Sequence, residues 1–409
     1  MTLGSIFSFA LKSVYRQGTR SIATLAAISV GVAGLILAGG FVQDIFIQLG
    51  EAIIHSQTGH IQITRKGYAE GKGRALDKYL IDNTQALQEV IGKSSPRIIR
   101  TTARLGFSGI LNNGKRDLGI IGEGIEPDAE QSFGTHMRFT AGRSLRDNDE
   151  DAIIIGHGVA NALGLHIGER VTLVITLPSG ALNTLDFELV GIFESFSKEF
   201  DARAVRIPLG AAQMLSDTAS SHVIVVMLDK TEATAGTINF LTQQILGEEF
   251  EATAWSNLSD FYEKTVELYD RQFGVLRLIT LLMVFLSVVN SVNMTLFERT
   301  REFGTMKAVG DTPSKIFSLV LAESIWLGFF GSLLGIALGC TLGICISTIG
   351  IPMPPPPNSN LGYIAQIRLE TWSVCIAGAT GFVACFLASI FPAKRASKLD
   401  IVDALRHGV

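Results

Sequence analysis

A charged segment, Glu298 to Pro313, stands between two long apolar runs, Phe273 to Phe297 and Ile316 to Ile349. Each charged side chain costs roughly 3 kcal/mol at the centre of a bilayer, so such a segment belongs in water at a membrane face while the flanking runs cross the lipid. It is too short to be a domain. It reads as a short cytosolic helix that touches something else, and this excludes an ordinary soluble fold.

Four segments reach the about 20 apolar residues that a membrane-spanning helix needs. They cover 21–42, about 271–297, 316–349 and 371–393. Hydrophobic residues make up 47% of the 409-residue chain and charged residues only 18%. The mean hydropathy of +0.35 is high for a soluble protein and low for an all-membrane one. A few spans plus a sizeable aqueous domain follow. The net charge is -4, and no basic patch is interleaved with aromatics, so nucleic acid is not an expected partner.

Cations set the expected direction. Lys12, Arg16 and Arg20 precede the first span, and Arg299, Arg301, Lys307 and Lys315 separate the second from the third. Lys394, Arg395, Lys398 and Arg406 follow the fourth, whereas 350–370 carries only Arg368. The positive-inside rule then places both ends and the loop at 298–315 in the cytosol. Residues 43–270 become extracytosolic and the tail 394–409 cytosolic. The first apolar run exceeds a signal peptide's core, so it is expected to be an uncleaved anchor. Leu3, Ile6, Phe7, Ala10, Leu11 and Val14 recur at helical spacing, which makes 1–20 an amphipathic helix on the inner surface.

In 43–270, strand-like runs cover 60–64, 98–111, 118–122, 152–155, 170–176, 184–193, 205–207 and 223–228. Helix-like runs cover 85–91, 159–163, 211–215 and 233–246, and Asn113-Gly114 is a hairpin signal. Mixed order of this kind predicts an α+β domain inserted between the first and second of four transmembrane helices. At its ends, Tyr262, Val266, Tyr269, Phe273 and Leu276 form one apolar stripe and Phe41, Ile45, Leu49 and Ala52 another. These predict two helices that rise from the membrane as a stalk. Phe41, Ile45, Tyr269 and Phe273 are the candidate substrate-facing residues.

No catalytic constellation emerges, and the chain is not expected to be an enzyme. The run Gly109 to Arg116 almost spells a P-loop but lacks the Ser or Thr that would bind magnesium. The histidines show no metal-ligand spacing, and the acidic run Asp147 to Asp151 reads as a solvated turn, so no metal is expected. Cys340, Cys345, Cys375 and Cys385 all lie in apolar runs, which excludes a disulfide framework. Gly331, Gly335, Gly339 and Gly343 repeat every four residues in the third span, a spacing that lets helix backbones approach closely in lipid. Glu323 either sits at the cytosolic interface or anchors the loop at 298–315. The prolines of 352–357 predict a stiff extended link.

The pattern Glu298-Arg299-x-Arg301-Glu302-Phe303-Gly304-x-x-Lys307-Ala308-x-Gly310 resembles the signature after the second span of the MacB/FtsX/LolC-LolE permeases, the type VII ABC transporter membrane subunits. Leu321-Ala-Glu323-Ser, the glycine ladder, and the tail Pro392 to Arg406 are similar to the same family. So are Ala10 to Arg16, Gly142-Arg143-x-Leu145, Ile154-Ile155-Gly156 and Ala162 to Glu169. The resemblance implies a MacB-like periplasmic core domain in a bacterial inner-membrane protein. It also implies a separate cytosolic ATPase dimer, which binds ATP and Mg, and a second permease chain. Arg299, Arg301, Glu302 and Lys307 would pair across the ATPase contact, with Gly304, Ala308 and Gly310 permitting close approach. Closure of the ATPases would move the external domain by mechanotransmission. Lipoprotein or lipid extraction is the expected task. Efflux of small molecules or peptides through a periplasmic adaptor is the alternative, and control of a cell-wall hydrolase is a third.

Overall fold

The computed structural model describes residues 10, 12, 18–71, 76–131, 133, 137–354 and 362–398. The amphipathic helix expected over 1–20, the prolines at 355–357 and the family-like tail beyond Lys398 lie wholly or mostly outside the described residues. The chain divides into two compact units: residues 1–46, 265–352 and 364–409 form one, and residues 47–264 and 353–363 the other.

In chain order, α1 (Gly18–Ile53) ends in a π-helical turn, Ile54–Thr58. The strands are β1 (Ile61–Arg65), β2 (Ile98–Asn112), β3 (Asp117–Ile125), β4 (Arg138–Gly142), β5 (Ala152–Gly156), β6 (Arg170–Thr176), β7 (Leu182–Glu194), β8 (Ala204–Pro208), β9 (Val223–Leu228) and β10 (Phe250–Ala254). Between them come the helices α2 (Thr84–Ser94), α3 (His157–Leu163), α4 (Leu209–Ser216) and α5 (Thr234–Gln244). The chain continues with α6 (Asp260–Glu298), α7 (Thr300–Ala308), α8 (Pro313–Ile349) and α9 (Thr371–Ser397).

These ten strands make one mixed sheet in the order β10-β1-β9-β2-β3-β8-β5-β7-β4, with β6 bridging β2 and β7, and Ile351–Met353 and Tyr363–Ala365 form a separate two-stranded sheet. Pairing is antiparallel except for β3 with β8 and β5 with β7. The fully apolar runs Ala152–Gly156 and Val223–Leu228 are buried throughout, as strands covered on both faces must be. One core gathers Leu105, Phe107, Phe187 and Val205 under α3 and α4, and another gathers Ile61, Ile63, Ile91, Val226 and Leu241 under α2 and α5. Unanticipated β4 and β10 are the two edges of the sheet. Edge strands need little apolar patterning, and Arg-Phe-Thr-Ala-Gly and Phe-Glu-Ala-Thr-Ala show little. The near-P-loop run is the β2–β3 hairpin: Gly114 has φ +82°, and the Asn113 carboxamide oxygen accepts from the backbone N–H of Lys115 and Arg116.

In the other unit, α1, α6, α8 and α9 are each long and apolar enough to cross a membrane. Their shared core includes Ile28, Val32, Val284, Val288, Leu319, Val320, Cys385 and Ala388. The glycine ladder of α8 faces α1 of the same chain. A methyl group on Gly331 would fall 2.8 Å from Ile28 Cβ, on Gly335 2.7 Å from Val32 Cβ, and on Gly339 3.1 Å from Ala33 Cα. The Ser29 hydroxyl crosses this seam to donate to the Gly331 carbonyl at 3.0 Å. Gly343, one turn on, packs against Ile367 and Leu369 instead.

Candidate coupling site

The sharp break between α6 and α7 is a single residue, Arg299, with φ -96° and ψ 10°. Its guanidinium is turned back into the helix bundle. Nη1 donates to both carboxylate oxygens of Glu323 on α8, at 2.7 and 2.9 Å, and Nε donates to Glu302 at 2.8 Å. The guanidinium carbon lies 5.2 Å from the centre of the Phe303 ring. The Arg299 and Glu323 side chains are only 11% and 9% exposed. Burial by itself would lower the Arg299 pKa; the carboxylates of Glu323 and Glu302 outweigh it and hold the value above the ordinary one.

Of the Arg299 nitrogens that were expected to pair across the partner contact, Nε and Nη1 already serve Glu302 and Glu323 within the chain. The glutamate that could have been a mere interfacial residue anchors the loop.

The rest of α7 has two faces. Phe303 and Gly304 are buried, with Phe303 in one cluster with Ile316 and Leu319. Gly304, expected to permit close approach of a partner, lies on this buried side. Arg301, Glu302 and Ala308 are exposed and Lys307 is half-buried. Gly310 is exposed with φ +105°, a conformation that suits glycine and stops the helix, so its role is to turn the chain. The Asp311 N–H closes that turn on the Met306 carbonyl at 2.9 Å. Val309, which the pattern reading passed over, is 85% exposed at the tip. Such an exposed valine beside polar neighbours has no distinguishing mark in the sequence.

At the opposite end of the bundle, Asp44 is fully buried and holds the segment that leads into α9. It accepts from Arg368 Nε and from the Gln366 backbone N–H, both at 2.9 Å. Of the candidate substrate-facing residues, Tyr269 and Phe273 stack at 6.2 Å, and Phe46 meets Tyr269 edge-on at 6.3 Å. Phe41 is half-buried. Ile45 is 8% exposed, because it lies on the inward stripe of α1, so it presents no surface here.

Within the sheet unit, sequence reasoning missed a charged quartet, three of whose members are buried while Glu123 is half-buried. Arg104 on β2 makes a paired contact with Glu130, at 2.7 and 2.9 Å, and Arg206 on β8 donates to Glu123 on β3 at 3.0 Å. Both arginines also reach the π-helical turn that follows α1: Arg206 donates to the Ser56 carbonyl at 3.1 Å and Arg104 to the Gln57 carbonyl. Burial would raise the Glu123 pKa, but the two guanidiniums overcome it and hold the carboxyl below its usual range. The available signal was a charge inside the otherwise apolar strand Ala204–Pro208.

A family model described as FtsX-like permease C-terminal matches residues 274–401, and one described as MacB-like periplasmic core domain matches residues 21–243. The chain is 24% identical to the lipoprotein-releasing system transmembrane protein LolC of Neisseria meningitidis, over 97% of each chain. It is also 24% identical to the macrolide export ATP-binding/permease protein MacB of Hyphomonas neptunium, over 97% of this chain but 60% of that protein. Among solved structures, the periplasmic region of MacB from Actinobacillus actinomycetemcomitans matches 53% of this chain and 95% of its own, at 16% identity and a TM-score of 0.37. With one model on the sheet unit and the other on the helices around the Arg299 break, the chain belongs to the MacB/FtsX/LolC-LolE family of type VII ABC transporter permease subunits.

Proposed function

We propose that this permease couples a separate cytosolic ATPase, which binds ATP and Mg, to work on the far side of a bacterial inner membrane. The observation that carries this reading is the fastening of α7 by Arg299 to Glu323. The face for the ATPase is then Arg301, Glu302, Lys307, Ala308 and Val309, with Glu302 also holding Arg299. A push on that face passes into α8 without first being absorbed by a loose loop.

In this reading both chain ends and α7 are cytosolic, and the sheet unit is periplasmic. The first helix, unbroken from Gly18 to Ile53, and α6, unbroken from Asp260 to Glu298, are far longer than the roughly 30 Å of hydrocarbon requires. They serve as the transmitting stalk, and the arginine clamp on Ser56 and Gln57 joins the first of them to the sheet. A second permease chain, identical or related, completes the machine.

The cargo is a lipoprotein or lipid taken from the membrane. Support comes from the end-to-end similarity to a relative named for lipoprotein release. Efflux of a small molecule or peptide through a periplasmic adaptor is the second reading, because relatives named for macrolide export match as much of this chain. Mass spectrometry of the gently solubilised complex, without nucleotide, separates them. An ATPase with an acylated protein supports extraction, and an ATPase with an adaptor and no acylated cargo supports efflux. If no ATPase is present, the coupling reading fails.

A further inference from the structure

Two cavities on the α6–α9 side of the helix unit join end to end. One, of about 460 Å³, is an apolar groove between Leu278, Leu282 and Phe285 of α6 and Val383 and Leu387 of α9. The other, of about 260 Å³, is a mixed pocket whose largely apolar wall also carries Asp270, Arg277, Gln43 and Arg368. Leu281, Ile376 and Thr380 line both, so the groove opens into this pocket as its mouth.

The charges at the mouth differ in availability. Arg368 already donates to buried Asp44. Arg277 and Asp270 are both exposed, and among the described residues neither forms an ion pair. They are seven residues apart on α6, about 10 Å along the axis at 1.5 Å per residue and on one face. An unpaired arginine beside a lipid-facing groove marks a site for a counter-charge. Along α6 the order is apolar groove, then cation, then anion.

We propose that this channel holds a resident phospholipid with a zwitterionic amine headgroup, a phosphatidylethanolamine. One acyl chain fills the α6–α9 groove, the phosphate pairs with Arg277, and the ammonium group reaches Asp270. The sequence of tail, phosphate and amine in the lipid matches the order of partners on the helix. Phosphatidylglycerol would offer Asp270 only neutral hydroxyls in place of an ammonium group, and a bare acyl chain would leave Arg277 unanswered. The site stands apart from the cargo question: a resident lipid is expected whichever substrate the transporter moves.

The test is native mass spectrometry of the full-length protein after exchange into equal phosphatidylethanolamine and phosphatidylglycerol, without ATPase or nucleotide. One tightly held phosphatidylethanolamine per chain is expected, preferred over phosphatidylglycerol by about fivefold, the effect of one charge near the bilayer surface. Asp270→Asn should abolish that preference. Arg277→Gln should weaken retention of both lipids by about fivefold. Ala379→Trp, which fills the groove from an exposed position, should evict the lipid while the protein stays folded. Equal retention of the two lipids by the native protein, or an Arg277→Gln protein that holds lipid as well as the parent, would overturn the proposal. So would disulfide cross-linking of Ala379→Cys between two copies, which would make the groove a protein contact.

Discussion

Arg299 donates from one nitrogen to both oxygens of Glu323, at 2.7 and 2.9 Å, across a span of 24 residues. This pair joins the break between α6 and α7 to the third apolar helix. Removing one partner of such a buried pair strands the other charge and typically costs about 3–5 kcal/mol, whereas replacing both by apolar groups is far milder. Glu323→Ala should therefore detach α7 and cut the ATPase activity of the assembled complex, with ATPase binding less affected. An Arg299→Met/Glu323→Leu double variant should be less destabilised than Glu323→Ala but equally poor at coupling. The check is ATPase activity and thermal stability of each complex; full coupling in Glu323→Ala would sink the assignment.

Val309→Asp should weaken ATPase association by about tenfold, because a charge placed in an apolar contact must be desolvated. At 85% exposure the substitution leaves the bundle untouched, so the melting temperature should not move. Gly304 behaves oppositely. It is buried, so Gly304→Leu should lower stability before it alters association. Pull-down titration against the ATPase, paired with thermal melts, distinguishes the two faces.

The glycine ladder should respond position by position. A methyl group at Gly335 meets Val32 Cβ at 2.7 Å and the Ser29 backbone carbonyl at 2.9 Å, neither of which can swing aside. Gly335→Ala should cost about 1–3 kcal/mol through overpacking. Gly343→Ala meets the ends of the Leu369 and Ile367 side chains at 3.1 and 3.2 Å and should be nearly neutral. Similar melting temperatures for the two variants in detergent would contradict the ladder's assigned contact with α1.

Arg206→Met should destabilise the sheet unit by about 1–3 kcal/mol, since half-buried Glu123 loses its closest partner and keeps only Arg104, at 3.9 Å. In the proposed machine it also loosens the grip on the Ser56 carbonyl. Hydrogen exchange should then rise first around the π-helical turn, ahead of the sheet; uniform exchange throughout would argue against the clamp.

His60 predicts an acid limb. Its Nδ1 accepts from the Leu228 N–H at 3.2 Å, and Nε2 faces the Thr231 hydroxyl, which itself donates to Glu51. Burial is the main cause that brings its pKa down to about 4. The unfolded chain takes up the proton first, so this contribution is complete above about 6.5 and is lost as pH falls toward about 4. His55, raised chiefly by its hydrogen bond to Glu51, acts in the opposite sense and adds stability as the pH falls through its raised pKa toward about 6.5, so the His60 decline is read below that pH. Thermal melts between pH 7 and 4 should show the decline in the native protein, and a flatter profile in His60→Gln.

Much of this protein was legible before any coordinates. Uncharged runs of about 20 residues can do little else than cross a bilayer as helices, because no water is present there to satisfy exposed backbone groups. Alternating and all-apolar runs marked the inner strands, and Asn113-Gly114 marked its hairpin, because local backbone preference and burial act on neighbours in sequence. The edge strands β4 and β10 escaped, since an edge needs no such pattern.

Other features depended on which distant residues meet. The glycine spacing called for a close helix but did not name α1 of the same chain. Glu323 had two readings, and only the fold brought Arg299 against it. The quartet of Arg104, Glu123, Glu130 and Arg206 comes from β2, β3, β8 and the short helix Pro127–Gln131. Local sequence determined the helices, the strands and the family signature, because those follow from short-range periodicity and solvent. Tertiary structure alone decided the ion pairs and the faces of α7, because a charge is buried only where the fold brings it a partner.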